Sequence, residues 1–162
     1  MDKPFDKKAF MTDVINLIKQ KTGIDCYASD NPGSQQAYPF FTFEFIDSHI
    51  PLPITDNLDF EVFEMAMHFD CHSQSMYEAD MGANQLSKLM RSQAMYMLGV
   101  QDNFYVIDVD SVENTDNQIS IQVEHKSGFQ VNFRCQDAFQ DDVTTLGDIE
   151  LNGSQFPKTK NK

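Results

Sequence analysis

The chain has 162 residues, 41% of them apolar and 14 of them Phe, with a net charge of −13 at pH 7. That suits one domain with a real core and is too apolar for global disorder. No run approaches the roughly 18 apolar residues of a membrane helix, and so acidic a body should repel nucleic acid by its field.

The charge is uneven. Residues 1–21 hold five Lys and three Asp, residues 152–162 hold three Lys and no acid, and the stretch between holds 4 basic and 22 acidic residues. The opening Met1-Asp2-Lys3-Pro4-Phe5-Asp6 lacks the apolar core of a signal peptide, so synthesis and retention in the cytoplasm are expected. Cys26, Cys71 and Cys135 form no Cys-x-x-Cys. Cys71 and Cys135 each extend the apolar face of a strand pattern, which predicts buried free thiols in a reducing compartment.

The first helix is predicted from about Asp6 to Lys21, with Phe10, Val14, Leu17 and Ile18 on one stripe, Asp6 as N-cap and Gly23 past the end. Asp30-Asn31-Pro32-Gly33 reads as a turn. Phe40 to Ile46 reads as a strand with Phe41, Phe43 and Phe45 on one face. Asp47 to Asn57 reads as a loop, an apolar arm in which Ile50, Leu52 and Ile54 surround Pro51 and Pro53. Proline removes ladder donors, so this arm is excluded from a central strand. It either folds back on its own domain or inserts into a neighbour.

Phe60 to His72 is the longest strand pattern, with Phe63, Met65, Met67, Phe69 and Cys71 facing one way and Val62, Glu64, Ala66, His68, Asp70 and His72 the other. Ser75-Met76-Tyr77-Glu78 is a capping box. It opens a single helix of about 23 residues with an apolar stripe of Ala79, Ala83, Leu86, Met90, Ala94 and Met97 and with Gly99 at its C′ position. Phe104 to Asp110 is another strand, and Asn114-Thr115-Asp116-Asn117 a turn. Ile119, Ile121 and Val123 then alternate with polar residues, His125-Lys126-Ser127-Gly128 reads as a turn, and Phe129, Val131, Phe133 and Cys135 alternate again. That is the pattern of an antiparallel hairpin with one covered face. Val143 to Leu151 allows a last short strand. The domain is expected to span 1–151, followed by a polar, basic, disordered tail over 152–162.

Chemistry is sparse. His68, Asp70 and His72 share one strand face with about 7 Å between successive members. Two His and a carboxylate can ligate zinc or iron, but on an extended strand they do not converge without another element, and a solvent-facing polar row is the simpler expectation. Asp108 to Glu113 imitates the start of a calcium loop but has Val112 at a ligand position and Glu113 where Gly is required. Gly-x-Ser-x-Gly, a glycine-rich phosphate loop and His-Glu-x-x-His are all absent from the sequence. Glu64 and Asp70 are too far apart on their strand for a glycosidase pair, and basic residues interleaved with aromatics are lacking.

The order of these pieces resembles the neck or tail-terminator proteins of long-tailed bacteriophages. The stretches that carry the likeness are Tyr38-Pro39-Phe40-Phe41-Thr42-Phe43, Asp70-Cys71-His72-Ser73-Gln74-Ser75 leading into the Ala79/Ala83/Leu86 helix, Val106-Ile107-Asp108-Val109-Asp110, and His125 to Arg134. Together they span roughly residues 5–151. The resemblance implies an α+β fold, a mixed and mostly antiparallel central sheet packed by two main helices. It implies a structural virion subunit without enzymatic residues, metal or cofactor. Such subunits form a ring, commonly of six, that caps the tail tube, halts its growth and joins it to the head.

On this basis the expected partners are other copies of the chain, the tail-tube protein and a head-completion or connector protein. Genomic DNA would pass without specific binding, and no membrane is involved. The expected location is the neck of the virion, assembled in the host cytoplasm. The candidate subunit-interface residues are the arm, Ile50, Pro51, Leu52, Pro53 and Ile54, and the turn residues His125, Lys126 and Ser127. The alternatives are another phage assembly subunit, such as a head-completion or tail-tube protein, a small metal-dependent enzyme using His68, Asp70 and His72, and a cytoplasmic adaptor or inhibitor.

Overall fold

Asp6 starts the first helix. Its carboxylate accepts from the backbone N–H groups of Lys8 and Ala9, both at 3.0 Å, which satisfies two of the donors a helix start leaves open. Helix α1 runs Lys7–Thr22 and ends on Gly23 in the left-handed region, φ 75°, whose N–H bonds Lys19 O. Phe10, Val14 and Ile18 of the predicted stripe are buried, together with Met11, while Leu17 is half-buried. The computed structural model describes residues 4–30, 36–52, 57–116, 124–142, 150–151 and 154–155.

Three short-to-long strands follow or flank it: β1 (Cys26–Ala28), β2 (Phe40–Pro51) and β3 (Val62–Ser73). Next come helices α2 (Met76–Met90) and α3 (Gln93–Asp102), then strands β4 (Phe104–Val109), β5 (Glu113–Asn114) and β6 (His125–Gln136). Backbone segments β7 (Glu150–Leu151) and β8 (Ser154–Gln155) pair with each other. The main sheet has the order β1-β2-β3-β6-β4, with β5 also on β6. Among the described residues only β1 and β2 are parallel, and every other pairing is antiparallel. The chain is therefore an α+β domain with a mixed, mostly antiparallel sheet.

The alternation in β3 and β6 decides which face the helices cover. Phe63, Met65, Met67, Phe69 and Cys71 of β3 are all buried, as are Phe129, Val131, Phe133 and Cys135 of β6. Helix α1 lays Phe10 against Phe104 and Phe133, ring centroids 4.9 and 5.3 Å apart and nearly perpendicular. Helix α2 comes so close that a Cβ on Gly82 would lie 2.5 Å from Cys71 Sγ. Full burial of a large apolar side chain stabilises by about 1.5–3 kcal/mol, so this single covered face accounts for most of the fold's driving force.

Several sequence expectations are corrected. His125 to Gly128 is not a turn but the start of β6, paired with β3 and β5. Gly128 is required there by close packing, since a Cβ would meet Asp70 Oδ1, Phe69 O at 2.6 Å and His68 Nε2 at 2.8 Å. Ile119 to Val123, the other arm of the expected hairpin, lies outside the described residues, as do Asn31 to Gly33.

The single long helix is two. Ser92 breaks it, its hydroxyl donating to Leu89 O at 2.7 Å and accepting from Met95 N. Gly99 lies inside α3 and not past its end; a Cβ there would collide with Phe104 O. The helix ends instead at Asn103 in the left-handed region. The capping box is also relayed: Ser75 caps α2, but Glu78 accepts from Ser73 Oγ, which in turn accepts from Ser75 N at 3.1 Å.

Two further corrections concern β3 and the arm. Phe60 sits in a turn at φ 52° and the strand begins at Val62. Asp47 to Pro51, expected as loop, continues β2, with Ile50 opposite Glu64 and Pro51 opposite Phe63. Proline is tolerated because β1 covers β2 only from Phe41 to Phe43, so the far end of β2 is an edge and needs no outward donor.

Candidate assembly surface

The sheet has two unlike flanks. On the first, β2 runs past β1, and from Glu44 to Pro51 its outer side pairs with no strand among the described residues. Register shifts between Phe45 and Asp47 and between Asp47 and Ile50 mark bulges, which bend an edge away from flat pairing. Phe45 and Ile46 are exposed there, at 38% and 49%. His49 ties the end down by stacking on Phe63, centroids 4.3 Å apart, with Nε2 3.4 Å from Glu61. Of the expected arm, Ile50 and Leu52 are half-buried and Pro51 is exposed; Pro53 and Ile54 lie outside the described residues.

The second flank is β4. Among the described residues it pairs with β6 alone, and it has a register shift between Val106 and Asp108. Beside it, the break between α2 and α3 opens a groove of about 510 Å³ lined by Met90, Arg91, Met95 and Tyr96 together with Phe104 to Val109. Helix α3 is apolar on both sides: Met95 and Gly99 face the core, while Tyr96, Met97 and Val100 are exposed. A helix apolar all round belongs under cover. The stripe read from the sequence turns Met97 inward, whereas it is exposed. The signal missed was Met95-Tyr96-Met97-Leu98, a run too long for one stripe, following a Ser that can cap.

The face of the sheet away from the helices is polar, and it is not a solvated row. His68 Nε2 lies 3.2 Å from Asp70 Oδ1. Asp70, only 8% exposed, also accepts from Thr115 Oγ1 at 2.6 Å and pairs with Lys126 Nζ at 3.3 Å. His72 stacks on Phe40 and uses both ring nitrogens, Nε2 with Thr42 Oγ1 and Nδ1 with Glu124 Oε1, each at 2.8 Å. Glu124 accepts in addition from Tyr38 Oη at 2.7 Å. Asp116 accepts from Lys126 N and lies 3.0 Å from His125 Nδ1. Arg134 donates to Glu64 through Nε and Nη2.

The electrostatics follow from these partners. Burial would raise the Asp70 carboxyl, but the hydrogen bonds from His68 and Thr115 and the charge of Lys126 outweigh it and lower its pKa to about 2. The bond to Asp70 raises His68. Burial opposes ionisation of Glu124, yet Tyr38 and His72 hold it below its ordinary value. Burial pushes the thiols of Cys26, Cys71 and Cys135 up to about 12. All three are free and buried, which makes them poor nucleophiles.

His68 thus spends Nε2 on Asp70 and His72 spends both ring nitrogens on Thr42 and Glu124, so His72 turns away from Asp70. Among the described residues no three His, Cys, Asp or Glu side chains are grouped to hold a metal ion. The network fastens β2, β3 and β6 together and pins Asp116 and Glu124. His125 and Lys126 are half-buried within it and Ser127 is buried, at 4%. No helix among the described residues is long and apolar enough to cross a membrane.

Residues 10–159 match the family described as phage neck terminator protein. No curated protein matches the chain.

Proposed function

The chain belongs to the phage neck terminator protein family, a family of structural proteins of the bacteriophage virion, and on that premise we propose that it forms a ring at the head–tail junction. The ring, a homohexamer in this proposal, ends growth of the tail tube and joins the tail to the head. Its partners are copies of itself, the tail-tube protein below and a head-completion or connector protein above, brought together in the host cytoplasm. The work is association and not catalysis. The observation that carries this is the match of nearly the whole chain, residues 10–159, to one neck family.

Two features support it. Both sheet flanks carry exposed apolar side chains, and the 22 acidic against 4 basic residues between 22 and 151 suit a channel wall to which passing DNA does not stick. The arm Ile50 to Ile54 and the exposed parts of His125 and Lys126 are assigned to contacts between subunits or with the neighbouring tiers.

Interrupting the gene tests the cap. The end of a polymer is either blocked or open to addition, so loss of the cap changes tail length and not only yield. Electron micrographs of the lysate are expected to show over-length tails and filled heads without tails. Tails of normal length attached to heads would overturn the assignment, and free tails of normal length would leave only the joining role.

A further inference from the structure

An edge strand presents backbone donors and acceptors that template another strand. This sheet has two such edges, at opposite ends of its strand order: the outer side of β2 from Glu44 to Pro51, and β4, neither paired outward with a strand among the described residues. A contact joining one edge to the other between copies is heterologous, the class that closes into a ring when the rotation allows it. Pairing β4 with β4, or β2 with β2, is isologous and stops at two.

The side chains distinguish these possibilities. Four basic residues stand between 22 and 151: Lys126 and Arg134 are spent on Asp70 and Glu64, and Lys88 is exposed on α2 but does not line the β4 groove. Arg91, in the β4 groove, is exposed and has no carboxylate partner among the described residues; its Nε lies 3.4 Å from Ser87 O. Asp47, at the bulge in the β2 flank, is exposed and forms no ion pair among the described residues. Each charge sits amid apolar side chains that await cover: Tyr96 and Ile107 near Arg91, Phe45 and Ile46 near Asp47. Bulges make the β2 edge a poor template for indiscriminate pairing, which leaves selection to this charge and apolar match.

We infer that the β2 edge of one copy, Glu44 to Pro51, docks along β4 of the next, with Asp47 of one copy against Arg91 of its neighbour. This rests on the ring proposed above and adds which surfaces close it.

Charge exchange in the full chain tests the contact, with mass followed by light scattering over a range of protein concentration. Arg91→Glu and Asp47→Arg are each expected to move assembly to roughly tenfold higher concentration or more, since like charges face one another. The double variant is expected to restore it, and circular dichroism to stay unchanged throughout. If a reversal unfolds the chain, the near-isosteric Asp47→Asn and the shorter, neutral Arg91→Gln carry the same test with smaller shifts. Single variants that assemble like the wild type, or a folded double variant that does not recover, would overturn the contact and leave the ring standing. A wild-type chain that stays monomeric at every concentration would overturn the ring in the free protein and this contact with it.

Discussion

His72 lies flat on Phe40, ring centroids 4.6 Å apart and planes 5° from parallel, while its Nδ1 reaches Glu124 at 2.8 Å. The two residues face each other across the β2–β3 ladder. The contact turns the polar side of the sheet into a bonded layer, because one ring packs on Phe40 and bonds through both of its nitrogens.

Removing that ring is expected to cost stability. His72→Ala strips the stack from Phe40 and leaves Thr42 and Glu124 without their shared partner, a loss of about 2 kcal/mol. Urea denaturation measures it. A change below about 0.5 kcal/mol, typical of a plain surface site, would show that the layer contributes nothing.

The His68–Asp70 pair makes stability depend on pH at both ends. The Asp70 carboxyl titrates at about 2 in the fold against 3.8 for a free side chain, so the unfolded chain takes up the proton first. Its contribution, about 2 kcal/mol, is complete above 3.8 and is lost as pH falls toward 2. His68 is shifted the other way, upward from 6.5; its contribution is complete below 6.5 and disappears as pH rises through the folded value. Asp70→Asn is expected to flatten the acid limb and most of the His68 limb in urea midpoints read from pH 2 to 9. Unchanged limbs would place the dependence elsewhere.

Glycine matters for opposite reasons at two positions. Gly128→Ala drives a Cβ into Asp70 Oδ1 and into the Phe69 carbonyl, and is expected to cost about 3 kcal/mol. Gly23 has open space around it but stands at φ 75°, so Gly23→Ala is expected to cost about 1 kcal/mol from backbone conformation alone. Equal costs in urea denaturation would refute the distinction.

The arm is expected to matter more for assembly than for folding. Replacing Ile50, Leu52 and Ile54 with Ser removes apolar area worth roughly 5 kcal/mol per subunit before ordering costs, if a neighbour covers it. Light scattering should then report weaker association while circular dichroism is unchanged. Loss of the monomer's fold would show instead that the arm serves its own core.

How much was legible from residues alone depended on the range of the cause. The bounds of α1 follow from Asp6, Gly23 and a stripe within one helix, all local, and the structure agrees to a residue. The covered face of β3 follows from alternation, because a pleated strand sends neighbours to opposite sides. The order of pieces sufficed for the family. What failed was set at a distance. Gly128 looks like a turn residue because turns favour glycine, yet it is glycine because Asp70 and His68 of another strand fill the space a Cβ would need. His68, Asp70 and His72 look like a solvated row because Thr115, Glu124 and Lys126, far along the chain, supply their partners. Which edges stay open is decided by the shortness of β1 and by β4 ending the strand order. Helix caps and strand faces come from residues within a few positions of one another and can be read along the chain. Close approach, hydrogen-bond partners across strands and unpaired edges exist only once folding has brought distant segments side by side.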